Sequence, residues 1–197
     1  MPAERLVTVP TLLSLSRVPL ALVLFACIAY DSWAAGFAVF AVAAGTDWLD
    51  GWWARRFGPL SRVGRNLDPL TDKVLICGTF IYLLSVPATG VLAWMVCVIV
   101  LRELIITGIR GMVEATGAKF AADWFGKLKT ALQCIAILFL LGRQALAANA
   151  SSIEEVLRAV SVAERAFLYA ALVATVGSGL QYLVKAARLL TANPPRN

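Results

Sequence analysis

The stretch Asp47–Asp72 reads DWLDGWWARRFGPLSRVGRNLDPLTD, and its carboxylates decide how the chain is organised. They fall as two pairs, Asp47 with Asp50 and Asp68 with Asp72, each beside a long apolar run. On a helix, spacings of three and four residues leave the members of a pair about 60° and 40° apart around the axis, on one face. Two such faces, joined by a polar turn around Gly58-Pro59, make a pocket of four carboxylates.

Composition sets that pocket in a membrane. Hydrophobic residues are 60% of 197 and the mean hydropathy is +0.78, which excludes an ordinary soluble domain. A spanning helix needs about 20 mostly apolar residues. Six stretches qualify: 11–30, 34–56, 70–88, 91–113, 125–147 and 163–190. The expectation is therefore an all-α integral membrane protein, a single domain over 1–197 with six transmembrane helices, and residues 1–10 forming a short interfacial helix. The first apolar run, long and with Arg17 near its beginning, does not read as a cleaved signal.

Charge gives the orientation. Arg55, Arg56, Arg62 and Arg65 make the loop between the second and third spans the most basic, whereas the turns at Asp31-Ser32 and 85–90 carry no Lys or Arg. Of the eighteen Lys and Arg residues, only Arg143, Arg158 and Arg165 fall on the opposite side. The positive-inside rule puts both termini and the aspartates in the cytoplasm. The net charge of +6 is thus a topology signal, with attraction to anionic lipid headgroups second, and not a sign of nucleic-acid binding. Residues 148–165 read as an extracytoplasmic loop or a short amphipathic helix. Cys27, Cys77, Cys97 and Cys134 stand singly in apolar runs as small core residues. With no His in the chain, zinc sites of the usual kind and His-based catalysis are out.

An ionised Asp near the middle of a spanning helix costs about 2.5–3.5 kcal/mol on insertion scales, and less towards the interface. A single Asp could be a rim residue paired with Arg55, Arg56 or Lys73. Four in two facing pairs call for divalent cations, because oxygen-rich sites select Mg²⁺, Mn²⁺ or Ca²⁺. Two ions shared among four carboxylates clamp a phosphoryl group for in-line displacement. Gly51 and Ala54 leave room for a ligand beside the backbone, or for close helix packing. Arg55 suits a phosphate, or serves as a topology-setting charge.

The pattern Asp47-x2-Asp50-Gly51-x2-Ala54-Arg55-x8-Gly64-x3-Asp68-x3-Asp72 resembles, without gap or substitution, the motif of the CDP-alcohol phosphotransferases. That resemblance implies a bundle of six transmembrane helices and transfer of a phosphatidyl or similar group from a CDP-linked donor to an alcohol, releasing CMP. It implies Asp47, Asp50, Asp68 and Asp72 as ligands of two Mg²⁺ or Mn²⁺ ions, and Asp72 also as general base. Gly51, Ala54, Arg55 and Gly64 would line the cytidine nucleotide, and the family favours a homodimer.

Three further segments are similar to the bacterial phosphatidylglycerophosphate synthases of that family: 10–17, with Thr11, Ser14 and Arg17; 102–110; and 126–133. Thr11 and Ser14 depart from the Asn and Thr often found at those places. The implied substrates are CDP-diacylglycerol and glycerol 3-phosphate, at the cytoplasmic face of a bacterial inner membrane. Arg102 and Arg110, eight residues apart on one helix, and Lys127 and Lys129 on the next would hold the acceptor phosphate. Arg110 and Lys127 could equally be interface anchors, whereas Arg102 lies deeper in an apolar run. Without His, a single displacement with inversion at phosphorus is expected. Inositol phosphate, serine or a phosphatidyl group are alternative acceptors. A transporter with an Asp relay fits less well, since the charges sit at one membrane face and the second half has no matching pairs.

Overall fold

The computed structural model describes residues 9–57, 62–115, 124–149 and 154–192. Six helices follow one another: α1 (Val9–Ala29), α2 (Trp33–Phe57), α3 (Arg62–Leu84), α4 (Ala93–Ala115), α5 (Trp124–Asn149) and α6 (Glu154–Ala192), with a 3₁₀ turn at Pro87–Thr89. There is no strand among the described residues. The interfacial helix expected over 1–10 and the Gly58-Pro59 turn lie outside them, apart from Val9 and Pro10, which open α1.

The chain forms two compact units, residues 1–91 with 137–161 and residues 92–136 with 162–197, so α5 and α6 each contribute to both. In the first unit α1 packs against α2 and α3, burying Leu24, Phe40, Phe80 and Leu83 completely. The turn from α1 to α2 closes with the Ser32 amide donating to the Cys27 carbonyl and the Asp31 amide to that of Ile28. Asp31 takes the left-handed conformation this motif needs, at φ 54°. A short polar side chain tolerates that φ better than an apolar one would.

Gly78 sets the distance between α1 and α3. A Cβ there would run into Phe25 Cζ and stand 2.9 Å from its Cε1. The ring cannot retreat freely, because it stacks on Tyr82 with centroids 4.7 Å apart. Gly78→Val should therefore destabilise the protein by about 1–3 kcal/mol through overpacking, read as a lower unfolding midpoint in detergent. Gly177, whose Cβ position on α6 is open, is the control: Gly177→Ala should be neutral or stabilising, since Ala exceeds Gly in helix propensity.

Beyond α3 the chain turns at Pro87–Thr89. The buried Thr89 hydroxyl donates to the carbonyls of Leu83 (3.1 Å) and Val86 (2.7 Å) and accepts from the Val91 amide. Gly90 closes the turn at φ 67°, where L side chains are disfavoured. Arg143 of α5 donates from Nη2 to the Ala88 carbonyl, tying α5 to this turn.

In the second unit, Val113 of α4 and Ala186 of α6 are buried against Ile109, Tyr182 and Leu189. Here the usual distribution is reversed: Leu101, Leu104, Val173 and Leu180 face outwards, while Glu103, Lys129, Gln133, Thr175 and Ser178 are buried. Exposed aliphatics around a polar interior suit a hydrocarbon solvent, where helices associate through packing and hydrogen bonds. Trp124–Ala148 and Glu154–Leu189 are long and apolar enough to cross a membrane, and Ser16–Ala29, Trp33–Thr46 and Lys73–Leu84 are shorter apolar stretches.

Two boundaries differ from the sequence expectation. The third helix begins at Arg62 rather than near residue 70, so Asp68 and Asp72 lie inside it. Among the described residues, the segment 148–165 forms no separate short helix. Its described part beyond Glu154 belongs to α6, a continuous helix of 39 residues with Glu154 and Glu155 in its first turn. Acidic residues there complement the helix dipole, and neither Pro nor Gly interrupts the helix before Gly177. At 1.5 Å per residue α6 extends about 58 Å, against about 30 Å of hydrocarbon.

Candidate active site

The motif occupies two helices of the first unit. Asp47 and Asp50 lie one turn apart in the second half of α2, and Asp68 and Asp72 one turn apart in the first half of α3. The axial separation within each pair is about 4.5 Å and about 6 Å. Since α1 packs against both helices, it is their common support. Gly51, Ala54 and Arg55 continue α2, and Gly64 falls in the first turn of α3. For all eight motif positions the backbone is helical, and their side chains lie outside the described residues. The same holds for Thr11 and Ser14 in the first two turns of α1. Arg17, one turn further along, is 2% exposed. An Arg so deep in an apolar helix needs compensating partners.

As donors, the four aspartates supply only carboxylate oxygens, and the chain has no His to compete. Such a set fits Mg²⁺ or Mn²⁺ better than a soft or imidazole-seeking metal. Two such ions would match the four negative charges of the motif.

The four cations expected at the acceptor phosphate belong to the second unit and are sorted by helix geometry. Lys127 is exposed and Lys129 is 6% exposed. Two residues on a helix are about 200° apart, so the two lysines face opposite ways. Lys129 points inwards and pairs with Glu103 Oε1. Arg102 donates from Nη1 to the same oxygen at 3.1 Å and from Nη2 to Ser178 Oγ at 3.1 Å. Ser178 in turn donates to the Thr175 carbonyl, and Gln133, one turn beyond Lys129, donates to Thr175 Oγ1 at 3.1 Å. The structure thus brings Arg102 and Lys129 together on one carboxylate. Arg110 is half-buried two turns along α4, and Lys127 stands apart from the pair.

Glu103, Ser178 and Thr175 carry no role in the sequence reading. Glu103 offered a signal, since a carboxylate inside an apolar run is expensive unless paired. Ser178 and Thr175 did not, because Ser and Thr are ordinary in membrane helices.

Comparison with known proteins places the motif in a family. A family model described as CDP-alcohol phosphatidyltransferase matches residues 7–179. The chain is 33% identical over 189 residues to the CDP-diacylglycerol–glycerol-3-phosphate 3-phosphatidyltransferase of Escherichia coli (strain K12), covering 89% of this chain and 92% of that one. It is 42% identical over 107 residues to the protein of that name from Bacillus subtilis (strain 168), covering 54% of each chain. A third relative, CDP-diacylglycerol–glycerol-3-phosphate 3-phosphatidyltransferase 2 of Arabidopsis thaliana, is 35% identical over 154 residues, 71% of this chain and 66% of its own. The chain therefore spans about half of the Bacillus relative and nearly all of the Escherichia one. With the eight-position motif intact on α2 and α3 and the match running through most of its length, the chain belongs to the CDP-alcohol phosphatidyltransferase family.

Proposed function

We propose that this protein transfers the phosphatidyl group of CDP-diacylglycerol to glycerol 3-phosphate, releasing CMP, as the names of its relatives indicate for them. The observation that carries this reading is the placement of Asp47, Asp50, Asp68 and Asp72 as two one-turn pairs on α2 and α3. All six helices cross the membrane, the aspartates face the cytoplasm of a bacterial inner membrane, and the protein works as a homodimer. The asymmetric distribution of Lys and Arg supports that orientation.

Asp47, Asp50, Asp68 and Asp72 hold two Mg²⁺ or Mn²⁺ ions. When bound, these ions neutralise charge on the pyrophosphate and on the departing CMP. Gly51, Ala54, Arg55 and Gly64 line the nucleotide, where two small residues on α2 admit it against the backbone. The acyl chains of the donor remain in lipid. Asp72 accepts the proton of the acceptor hydroxyl, which attacks the phosphorus carrying diacylglycerol in one displacement. Arg102 and Lys129 meet the phosphate of the acceptor, with Arg110 and Lys127 guiding it in from the surface. Thr11, Ser14 and Arg17 on α1 support the site from beside the two motif helices.

The test is CMP release by purified protein from CDP-diacylglycerol, with and without glycerol 3-phosphate, in Mg²⁺ or in EDTA. Release that needs both acceptor and metal is the expected result. Release with inositol phosphate or serine but not with glycerol 3-phosphate would overturn the acceptor assignment while leaving the transferase.

A further inference from the structure

We propose that Ser178 and Gly179 of α6 are positioning residues for the acceptor phosphate, a seat that fixes the guanidinium of Arg102 before substrate arrives. This rests on the acceptor reading above. Arg102 belongs to α4 and its seat to α6, all within the second unit. Ser178 is 3% exposed, and its hydroxyl works in both directions. Oγ accepts from Arg102 Nη2 at 3.1 Å and donates to the Thr175 carbonyl at 3.1 Å. A Ser hydroxyl has one proton and two lone pairs, so the bond to Thr175 leaves acceptor capacity alone facing the arginine. Thr175 is itself pinned, its hydroxyl donating to the Ala171 carbonyl and accepting from Gln133 of α5.

Gly179 supplies the other half of the seat by lacking a side chain. A Cβ there would lie 3.2 Å from Arg102 Cγ and 3.8 Å from Nε, so the stem of the arginine runs close over the bare backbone of α6. Carbon atoms prefer about 3.5–4.0 Å, and a side chain at 179 would push the stem away by a few tenths of an ångström. Adjacent residues thus set both the height of the stem and the direction of the head.

The head held in this way keeps an unused donor. Nη1 is engaged by Glu103 and Nη2 by Ser178, whereas the Nε–H is buried with no hydrogen-bond partner among the described residues. A buried donor without a partner is destabilising. An oxyanion such as a phosphate relieves that, because it accepts from several N–H groups of an Arg at once. An unrestrained Arg samples many rotamers, and holding it in one of them beforehand lowers the ordering cost of binding. Ser178 and Gly179 therefore raise the affinity for the phosphate without touching it.

Steady-state kinetics of Ser178→Ala, Ser178→Thr, Gly179→Ala and Gly177→Ala, with donor and acceptor varied separately, test the proposal. Ser178→Ala should raise KM for glycerol 3-phosphate about three- to tenfold, the equivalent of one net hydrogen bond. Ser178→Thr, which keeps the hydroxyl, should recover part of the loss. Gly179→Ala should raise the acceptor KM about threefold, since a misplacement of about 1 Å is worth about 10²-fold and the stem moves by a fraction of that. It also adds helix propensity, so it keeps the test open if Ser178→Ala does not fold. Gly177→Ala, on the same helix with open space at its Cβ, should leave the acceptor KM as it is. In Ser178→Ala and Gly179→Ala the KM for CDP-diacylglycerol should stay within about twofold, and kcat should fall less than the acceptor KM rises. Inorganic phosphate, as a competitor of the acceptor, should weaken by the same factor as the acceptor. An acceptor KM that is unchanged in either of these two variants, or that rises together with the donor KM, would overturn the proposal and leave a helix contact with a structural role alone. Absence of glycerol 3-phosphate turnover in the unaltered protein would instead overturn the acceptor reading itself.

Discussion

Asp72→Asn lowers the rate of CMP release with glycerol 3-phosphate by about 10²–10⁴-fold, the range a positioned base contributes. The change is nearly isosteric, so the backbone of α3 and the approach of α1 stay as they are. What disappears is the capacity to take a proton and one unit of negative charge. If Asp72 served only as a metal ligand, raising Mg²⁺ or Mn²⁺ would restore most of the rate, because the amide oxygen still coordinates. A deficit that persists at saturating metal identifies the lost base. Asp31→Asn is the matching control, since Asn also tolerates the left-handed backbone of the α1–α2 turn, and it should leave turnover as it was. A deficit below about tenfold at saturating metal would exclude Asp72 as the base, for it falls short of what proton transfer contributes.

The contrast between what hydropathy reveals and what it hides runs through the fold. It marks where a chain is apolar, which is not the same as where it is helical. The third span was legible from residue 70 because Leu70 and the run after Val74 are apolar, yet α3 begins at Arg62. Arg62, Arg65 and Asn66 are compatible with a helix but are not apolar, so hydropathy passes over them. For the same reason the charged residues Glu154, Glu155 and Arg158 read as a loop or a separate helix and prove to be the opening of α6. The motif itself was fully legible, since its spacing needs only the periodicity of a helix.

Of the four cations expected at the acceptor phosphate, the structure brings Arg102 and Lys129 together on one carboxylate, and that pairing was not legible in the sequence. That Lys127 and Lys129 point in opposite directions follows from two residues of helical rotation. Which of them turns inwards depends on how α5 is rotated against α4 and α6, and that is decided by the packing of all three. Glu103 shows the same limit: its neighbour Arg102 was visible in the chain, whereas Lys129 is 26 positions away and meets it only in the folded unit. Gly179 could not be singled out among the fourteen glycines without the stem of Arg102 lying across it.

Asp47→Asn should separate metal affinity from chemistry in the opposite way to Asp72→Asn. Asp47 stands on α2, one turn before Asp50, and has no proton-transfer role in the mechanism. In the mechanism proposed above, its loss removes a charged ligand from a site where four carboxylates would offset the charge of two dications. Even partners behind the ligands are worth about 10–100-fold in metal affinity, so a direct ligand should cost at least that. At limiting Mg²⁺ the activity of Asp47→Asn should collapse, and at high Mg²⁺ it should recover most of the way. Mn²⁺ titration followed by electron paramagnetic resonance gives a readout that does not depend on turnover: the unaltered protein should bind two ions, and Asp47→Asn should bind one of them at least tenfold more weakly. Unchanged Mn²⁺ binding would remove Asp47 from the ligand set. Because the two variants fail in different ways, one in affinity and the other in rate at saturation, their comparison assigns metal binding and proton transfer to different carboxylates of the same motif.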